Sequence, residues 1–395
     1  MEEKKMKKIL ALVLAALMLL SLVACGGNAD TPDEKVLKIG VFEPSTGDSA
    51  SGGKKEILGM QYANAETPTV MIGGEEYKVE LVLADNGSST DKAPSAATAL
   101  VDADVSIVLG SYGSGVSMAG SEFFDQAGLA AIGVTCTNPN VTAGNSHYFR
   151  ICFLDPFQGS VLANFAADKF GAKKAYLLGE LGNEYDQGLI TFFEQAFVAK
   201  GGEVMKDSYP TNQADFTTYL NKAKEFGADV IFTPVSIAYA TQIITQASTL
   251  GIEAPILGSD TLDDNKVLEA AKGTNVQVYV STFYQEGGNA EFDAGIKNYI
   301  NTNAEAMTAN GGNDTISAVT AMGYDAYYVA LEAAKAAGSI DKGAIKAALP
   351  NVTYTGVSGA IAFDEIGDAI RDTAYIKTSD NENAAWILET VQKAD

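Results

Sequence analysis

The run Val105-Ser106-Ile107-Val108-Leu109-Gly110, then Ser111-Tyr112-Gly113-Ser114-Gly115, then 116–127, decides the fold class. A short apolar run rich in β-branched residues reads as a strand, the glycine- and hydroxyl-rich turn ends it, and the apolar spacing of Val116–Ala127 reads as a helix. Outward from it the same unit recurs. Strand candidates Val36–Phe42, Tyr77–Ala84 and Leu129–Val134 flank it, and a second series follows: Lys174–Gly179, Glu203–Tyr209, Asp229–Thr233, Ile256–Gly258 and Val276–Phe283. Helical spacing fills the intervals at Ser95–Ala103, Gly159–Phe170, Asp186–Lys200, Phe216–Phe226 and Ala238–Leu250. Alternation of this kind predicts an α/β protein with parallel sheets and right-handed crossovers, and two series predict two Rossmann-like sheets.

The last third changes character. Ser317–Ala337 reads as one alanine-rich helix and Lys342–Leu349 as a short one stopped by Pro350. Thr353–Phe363, Ala369–Lys377 and Ala384–Val391 read as antiparallel strands, with a turn at Gly367-Asp368.

The first residues carry a different signal. Four lysines within Met1–Lys8 precede an apolar run from Ile9 to Leu20, and Leu22-Val23-Ala24-Cys25 follows. This is the layout of an export signal, too short for the roughly 20 residues of a spanning helix. The tetrapeptide resembles a bacterial lipobox, which implies cleavage after residue 24 and a diacylglyceryl group on Cys25. Residues 25–35 then form a polar tether, and the remainder works at the outer face of the cell membrane, held there by lipid alone.

With 27 Lys+Arg against 50 Asp+Glu, the net charge of −23 opposes nucleic acid and anionic lipid. Beyond Cys25 only Cys136 and Cys152 remain; two free thiols are expected, one disulfide between them is the alternative, and no zinc-type pair exists. No phosphate-loop, dinucleotide or H-E-x-x-H fingerprint is present, so no cofactor or metal is expected. Gly356-Val357-Ser358-Gly359-Ala360 lacks the last glycine of a nucleophile elbow. The one histidine, His147, reads as structural.

In an open parallel sheet, ligands bind beyond the carboxyl ends of the strands. There lie Ser111-Tyr112-Gly113-Ser114, Thr135-Cys136-Thr137-Asn138-Pro139 and Ser259-Asp260-Thr261. The first two offer neutral donors suited to a carboxylate, the first of them opening a helix whose start favours an anion. Asp260 offers a charge-assisted acceptor for an ammonium. Each loop taken singly is equally accounted for by turn and N-cap chemistry, Asp260 as the cap of a helix beginning near Asp263.

The ordered set of 42–47 (Phe42-Glu43-Pro44-Ser45-Thr46-Gly47), 108–114, 135–139, 183–188, Tyr324-Asp325-Ala326 and 363–368 resembles the type I periplasmic binding proteins, the solute receptors of branched-chain amino-acid ABC importers. The resemblance runs from Val36 to Val391. It implies two lobes joined by three strands, closing on a ligand. The crossings fall near Phe153, Phe283 and Arg371, giving lobes 36–153 with 284–370 and 154–283 with 371–395. The family's carboxylate-binding serine and threonine fall on Ser114 and Thr137, and its backbone contact to the ammonium on Thr135. Tyr185 matches the tyrosine that covers the ligand, and Asp260 the acid that holds the ammonium. Tyr112 joins them in the first loop. A pocket aromatic of some members aligns with Gly52, and a second-lobe tyrosine with Ser236, near Tyr239; both changes widen the pocket or make it polar. Glu43 and Asp48 favour a polar or cationic side chain. The implied protein is a monomeric, non-enzymatic receptor for an amino acid, delivering it to a membrane permease. A sensor of the same fold feeding a signalling partner, and an extracellular hydrolase, are the alternatives.

Overall fold

The computed structural model describes residues 35–393; the expected signal segment, Cys25 and nearly all of the tether lie outside the described residues. Strands β1 (Val36–Glu43), β2 (Thr69–Ile72), β3 (Glu75–Asp85), β4 (Ile107–Gly110), β5 (Ala131–Gly133) and β6 (Tyr148–Arg150) form one sheet in the order β2-β3-β1-β4-β5-β6. Only the β2–β3 hairpin is antiparallel; the other pairings are parallel. Helices α1 (Ala50–Glu66), α2 (Ala93–Asp102) and α3 (Ser114–Gln126) make the crossovers. Strand β1 is buried continuously from Ile39 to Glu43, as a strand with parallel neighbours on both sides must be.

After β6 the chain passes to α4 (Asp155–Phe170), β7 (Lys174–Glu180), α5 (Glu184–Ala199), β8 (Glu203–Tyr209) and α6 (Thr217–Phe226). It continues through β9 (Val230–Phe232), α7 (Ile237–Thr249), β10 (Ile256–Gly258), α8 (Asn265–Ala271) and β11 (Val278–Thr282). Helices α9 (Ala290–Thr302), α10 (Ala304–Ala309), α11 (Ala318–Ala337) and α12 (Lys342–Ala348) then return to the first sheet. They are followed by the hairpin β12 (Thr353–Gly356)–β13 (Gly359–Ala362). Finally β14 (Thr373–Asp380) and β15 (Ala385–Lys393) add antiparallel to a second sheet, ordered β15-β14-β11-β10-β9-β7-β8. The protein is therefore α/β with two mainly parallel sheets, as the alternating pattern predicts.

One apolar core runs through both sheets. It joins Ile39, Leu109 and Ile132 of the first to Leu177, Phe232 and Leu257 of the second. Where the chain passes between them, Phe153 and Phe283 meet with ring centroids 4.2 Å apart, and Arg371 donates from Nε to the Ile151 carbonyl. The outer faces carry separate clusters, Phe42, Val108 and Phe124 on the first sheet and Tyr176, Ile231 and Ile256 on the second. Among the described residues, no helix is long and apolar enough to cross a membrane.

Two elements differ from the sequence reading. The single strand expected over Thr353–Phe363 is a hairpin, because Asp325 on α11 captures its turn: Val357 N and Ser358 N each donate to the carboxylate at 2.9 Å. Helix α1 is not announced by apolar spacing. Gly52-Gly53 are poor helix formers, and Lys55 and Glu56 point inward, 1 % and 0 % exposed. What holds α1 in place is its crossing with α11, at a glycine on each. A Cβ on Gly59 would lie 2.0 Å from the Thr320 carbonyl oxygen, and one on Gly323 2.2 Å from that of Glu56.

Backbone rather than a movable side chain limits that crossing. Gly59→Ala is accordingly expected to lower stability by at least the roughly 1–3 kcal/mol typical of overpacking, read from urea unfolding. Gly343→Ala, on an exposed helical position, is expected to be neutral or stabilising by up to about 1 kcal/mol.

Candidate functional site

The carboxyl ends of the two sheets face one another across a cleft of 470 Å³. Tyr112, Ser114 and Thr135 line it from the first sheet, and Tyr185, Ser236 and Thr261 from the second. Thr137 and Asp260 lie in the layer behind, 0 % and 1 % exposed. Hydrogen bonds join the two walls. Tyr112 Oη donates to Thr261 O at 3.4 Å, Asn138 Nδ2 to Glu184 O at 3.0 Å, and Ser51 Oγ to Asp264 at 2.9 Å.

The loop after β5 is positioned by a buried arginine. Arg150 Nη1 donates to Cys136 O at 2.9 Å and Asn138 O at 2.6 Å, while its Nε meets Asp368 at 2.5 Å. That fixes the backbone on both sides of Thr137. Ser114, the first residue of α3, accepts from Asn138 N at 3.2 Å, which ties the two donor loops together. The Thr135 hydroxyl is occupied by Glu56 on α1, so the Thr135 carbonyl is what remains for a ligand. The Thr137 hydroxyl and the carboxyl of Asp155, the buried first residue of α4, lie side by side, and neither has another hydrogen-bond partner among the described residues.

Asp260 does not cap the following helix. Asp264 does, accepting from Lys266 N at 2.8 Å, while Asp260 opens a 3₁₀ turn after β10. Its Oδ1 accepts from Tyr185 Oη at 2.8 Å and Gln158 Nε2 at 2.7 Å, and Gln158 is itself anchored on Ser281 Oγ at 2.8 Å. Tyr185 is oriented in turn by Asn183, the N-cap of α5, whose Oδ1 accepts from Tyr185 N at 3.1 Å. Three acids close in sequence thus fare differently. Asp263 has Lys377 at 2.9 Å and Asp264 has Lys55 at 2.5 Å; Asp260 has only neutral donors among the described residues. Burial pushes its pKa up to about 6, and the Gln158 and Tyr185 bonds hold it from rising further.

Two expectations about the pocket are corrected. Gly52 opens no volume, because the Tyr112 ring fills the space: a Cβ there would sit 2.3 Å from Tyr112 Cε2. Glu43 does not line the cleft but lies beneath it, 1 % exposed, accepting from Tyr112 N at 2.7 Å and facing Glu56. Burial raises both, Glu56 to about 7. Asp155 is likewise raised by burial to about 7. Local spacing does not mark Glu56, Gln158 or Asp155, since each sits on a helix without a motif. His147 is buried, bonded to Ser121 Oγ at 2.9 Å and Asp125 at 3.2 Å, and Cys136 and Cys152 are buried free thiols.

The family model described as periplasmic binding protein matches residues 36–382. Leu/Ile/Val-binding protein homolog 3 of Brucella melitensis is 29% identical over 347 residues, covering 84% of this chain and 88% of its own. The crystal structure of a leucine binding protein from Thermotoga maritima is similar with a TM-score of 0.80 and 30% identity, over 91% of this chain and 99% of that one. The branched-chain amino acid transporter substrate binding protein of Streptococcus pneumoniae, in complex with isoleucine, gives 0.77 and 27% over the same shares.

The raised Asp260 has a consequence with a definite sign. Between its ordinary value of 3.8 and about 6 the folded chain binds a proton that the unfolded chain has lost, so its contribution to stability falls as pH rises through that window. Melting temperatures at pH 4.5 and 7.5 test this by comparison with Asp260→Asn, which cannot ionise. The change in stability of wild type relative to the variant should be unfavourable on going to pH 7.5.

Proposed function

This chain belongs to the periplasmic binding protein family, among the type I receptors of the branched-chain amino-acid class, and on that premise we propose that it binds a free α-amino acid in the inter-sheet cleft for an ABC importer. The observation that carries the reading is Asp260, a buried carboxylate aimed by two neutral donors and left without a cation while Asp263 and Asp264 each have a lysine. A ligand ammonium would supply the missing charge, together with the Thr135 carbonyl. The ligand carboxylate would sit at the Ser114 hydroxyl, the amides at the start of α3 and the Thr137 hydroxyl, with Tyr185 and Tyr112 covering it from opposite sides. Fully hydrogen-bonding both charges is what makes burying a zwitterion affordable.

The two lobes in this reading are 36–153 with 284–370 and 154–283 with 371–395, hinged where Phe153, Phe283 and Arg371 lie and closing on the ligand as a monomer. The closed surface is what a membrane permease would recognise. Cys25 would carry the lipid. Each buried methylene contributes about 0.8 kcal/mol, so two acyl chains hold a protein that one would release.

A thermal-shift screen of the common amino acids tests the site, since a ligand at about a hundredfold its Kd adds roughly 2.7 kcal/mol to the folded state. At least one amino acid should raise the melting temperature, and Asp260→Ala should abolish that shift. Full affinity in the variant would sink the assignment. Since an ammonium prefers the ionised carboxylate, affinity should weaken as pH falls below about 6, the value to which burial raises Asp260. For the anchor, Cys25→Ser should abolish metabolic incorporation of an alkyne-tagged fatty acid; labelling that persists in the variant would refute it.

A further inference from the structure

The rest of the cleft wall is acidic on both sides. Asp48 and Asp91 stand on the first-sheet side, and Glu180, Glu184 and Asp186 on the second, with no lysine or arginine among the described lining residues. Asp91 and Glu184 make no side-chain hydrogen bond or ion pair among the described residues, and Asp48 and Glu180 are the two acids that both act on Tyr209 and Tyr239. Asp48 makes no hydrogen bond or ion pair among the described residues, and the Glu180 carboxylate has a long 3.4 Å contact from Asn183 Nδ2 and lies within reach of the Tyr239 hydroxyl. Asp186, by contrast, is buried and committed to Glu180 N at 2.8 Å.

Two tyrosines on the second sheet's side point the same way. Tyr209, at the end of β8, is 0 % exposed, yet its hydroxyl has no hydrogen-bond partner among the described residues. Its ring packs on Tyr239 with centroids 5.0 Å apart, and the Tyr239 hydroxyl accepts from Asn212 N at 3.0 Å. Both hydroxyls lie in the field of Glu180 and Asp48, which adds to burial in suppressing their ionisation. The Ser236 hydroxyl beside them is also buried without a partner.

An aliphatic ligand side chain placed here would strip water from the Asp48 and Glu180 carboxylates and return nothing. An ammonium or guanidinium would meet charge-assisted acceptors. We infer that the cleft selects an amino acid with a cationic side chain, of the lysine, ornithine or arginine type, its distal charge held between Asp48 and Glu180. This rests on the α-amino-acid reading of the same cleft and adds the class of side chain.

Isothermal titration of the protein with L-lysine, L-ornithine, L-arginine, L-leucine and L-isoleucine separates the two statements. At least one cationic ligand is expected to bind about tenfold or more tighter than leucine, the equivalent of one good charged hydrogen bond. Glu180→Gln and Asp48→Asn should each narrow that cation-to-leucine ratio by about tenfold. Leucine or isoleucine binding tighter than all three cations would overturn the inference and leave the amino-acid reading standing. An unchanged ratio in both variants would overturn the placement of the charge. Absence of binding by every amino acid would overturn both readings.

Discussion

A carboxylate taken out of water must find a cation, a set of donors or a proton, and that requirement organises the space between the two sheets. Some buried acids have a solution within the chain. Asp263 and Asp264 take Lys377 and Lys55, Asp368 takes Arg150, and Asp325 takes the amides of the β12–β13 turn. Each of these pairings joins elements far apart in sequence. Lys55 and Ser51 of α1 reach the N-cap of α8, so one end of the cleft is pinned by a buried charge pair.

The acids under the cleft have no such solution. Glu43 and Glu56 face each other, Asp155 stands beside the unpartnered Thr137 hydroxyl, and Asp260 has two neutral donors. Their raised pKa values follow from burial without a cation. A folded chain meets such a cost with a retained proton or with a group supplied from outside it. Precision at this place comes from behind: Arg150 sets the loop around Thr137, and Gln158 and Asn183 set Asp260 and Tyr185.

The fold was largely legible. Alternating apolar runs and helical spacing announce parallel sheets because a strand covered on both faces is apolar where it is buried, as β4 is and as β1 is from Ile39 to Phe42. The places where the reading slipped share one cause. Helix α1 hides because its two inward charges and two glycines answer to partners elsewhere, Asp264 for Lys55 and α11 for the glycine crossing. The hairpin after α12 is divided by Asp325, roughly 30 residues upstream, which no local pattern records.

By itself the sequence determined the class of architecture, the loops at the strand ends and the acidic balance of the chain, since these follow from local periodicity, turn chemistry and composition. Only the tertiary structure decided which of Asp260, Asp263 and Asp264 lacks a cation, that Tyr112 fills the space over Gly52, and that Glu43 lies beneath the cleft while Glu180 lines it. Whether a charge is paired and whether a gap is empty depend on what distant segments bring within a few ångströms, and spacing along one strand and its loop carries no record of that.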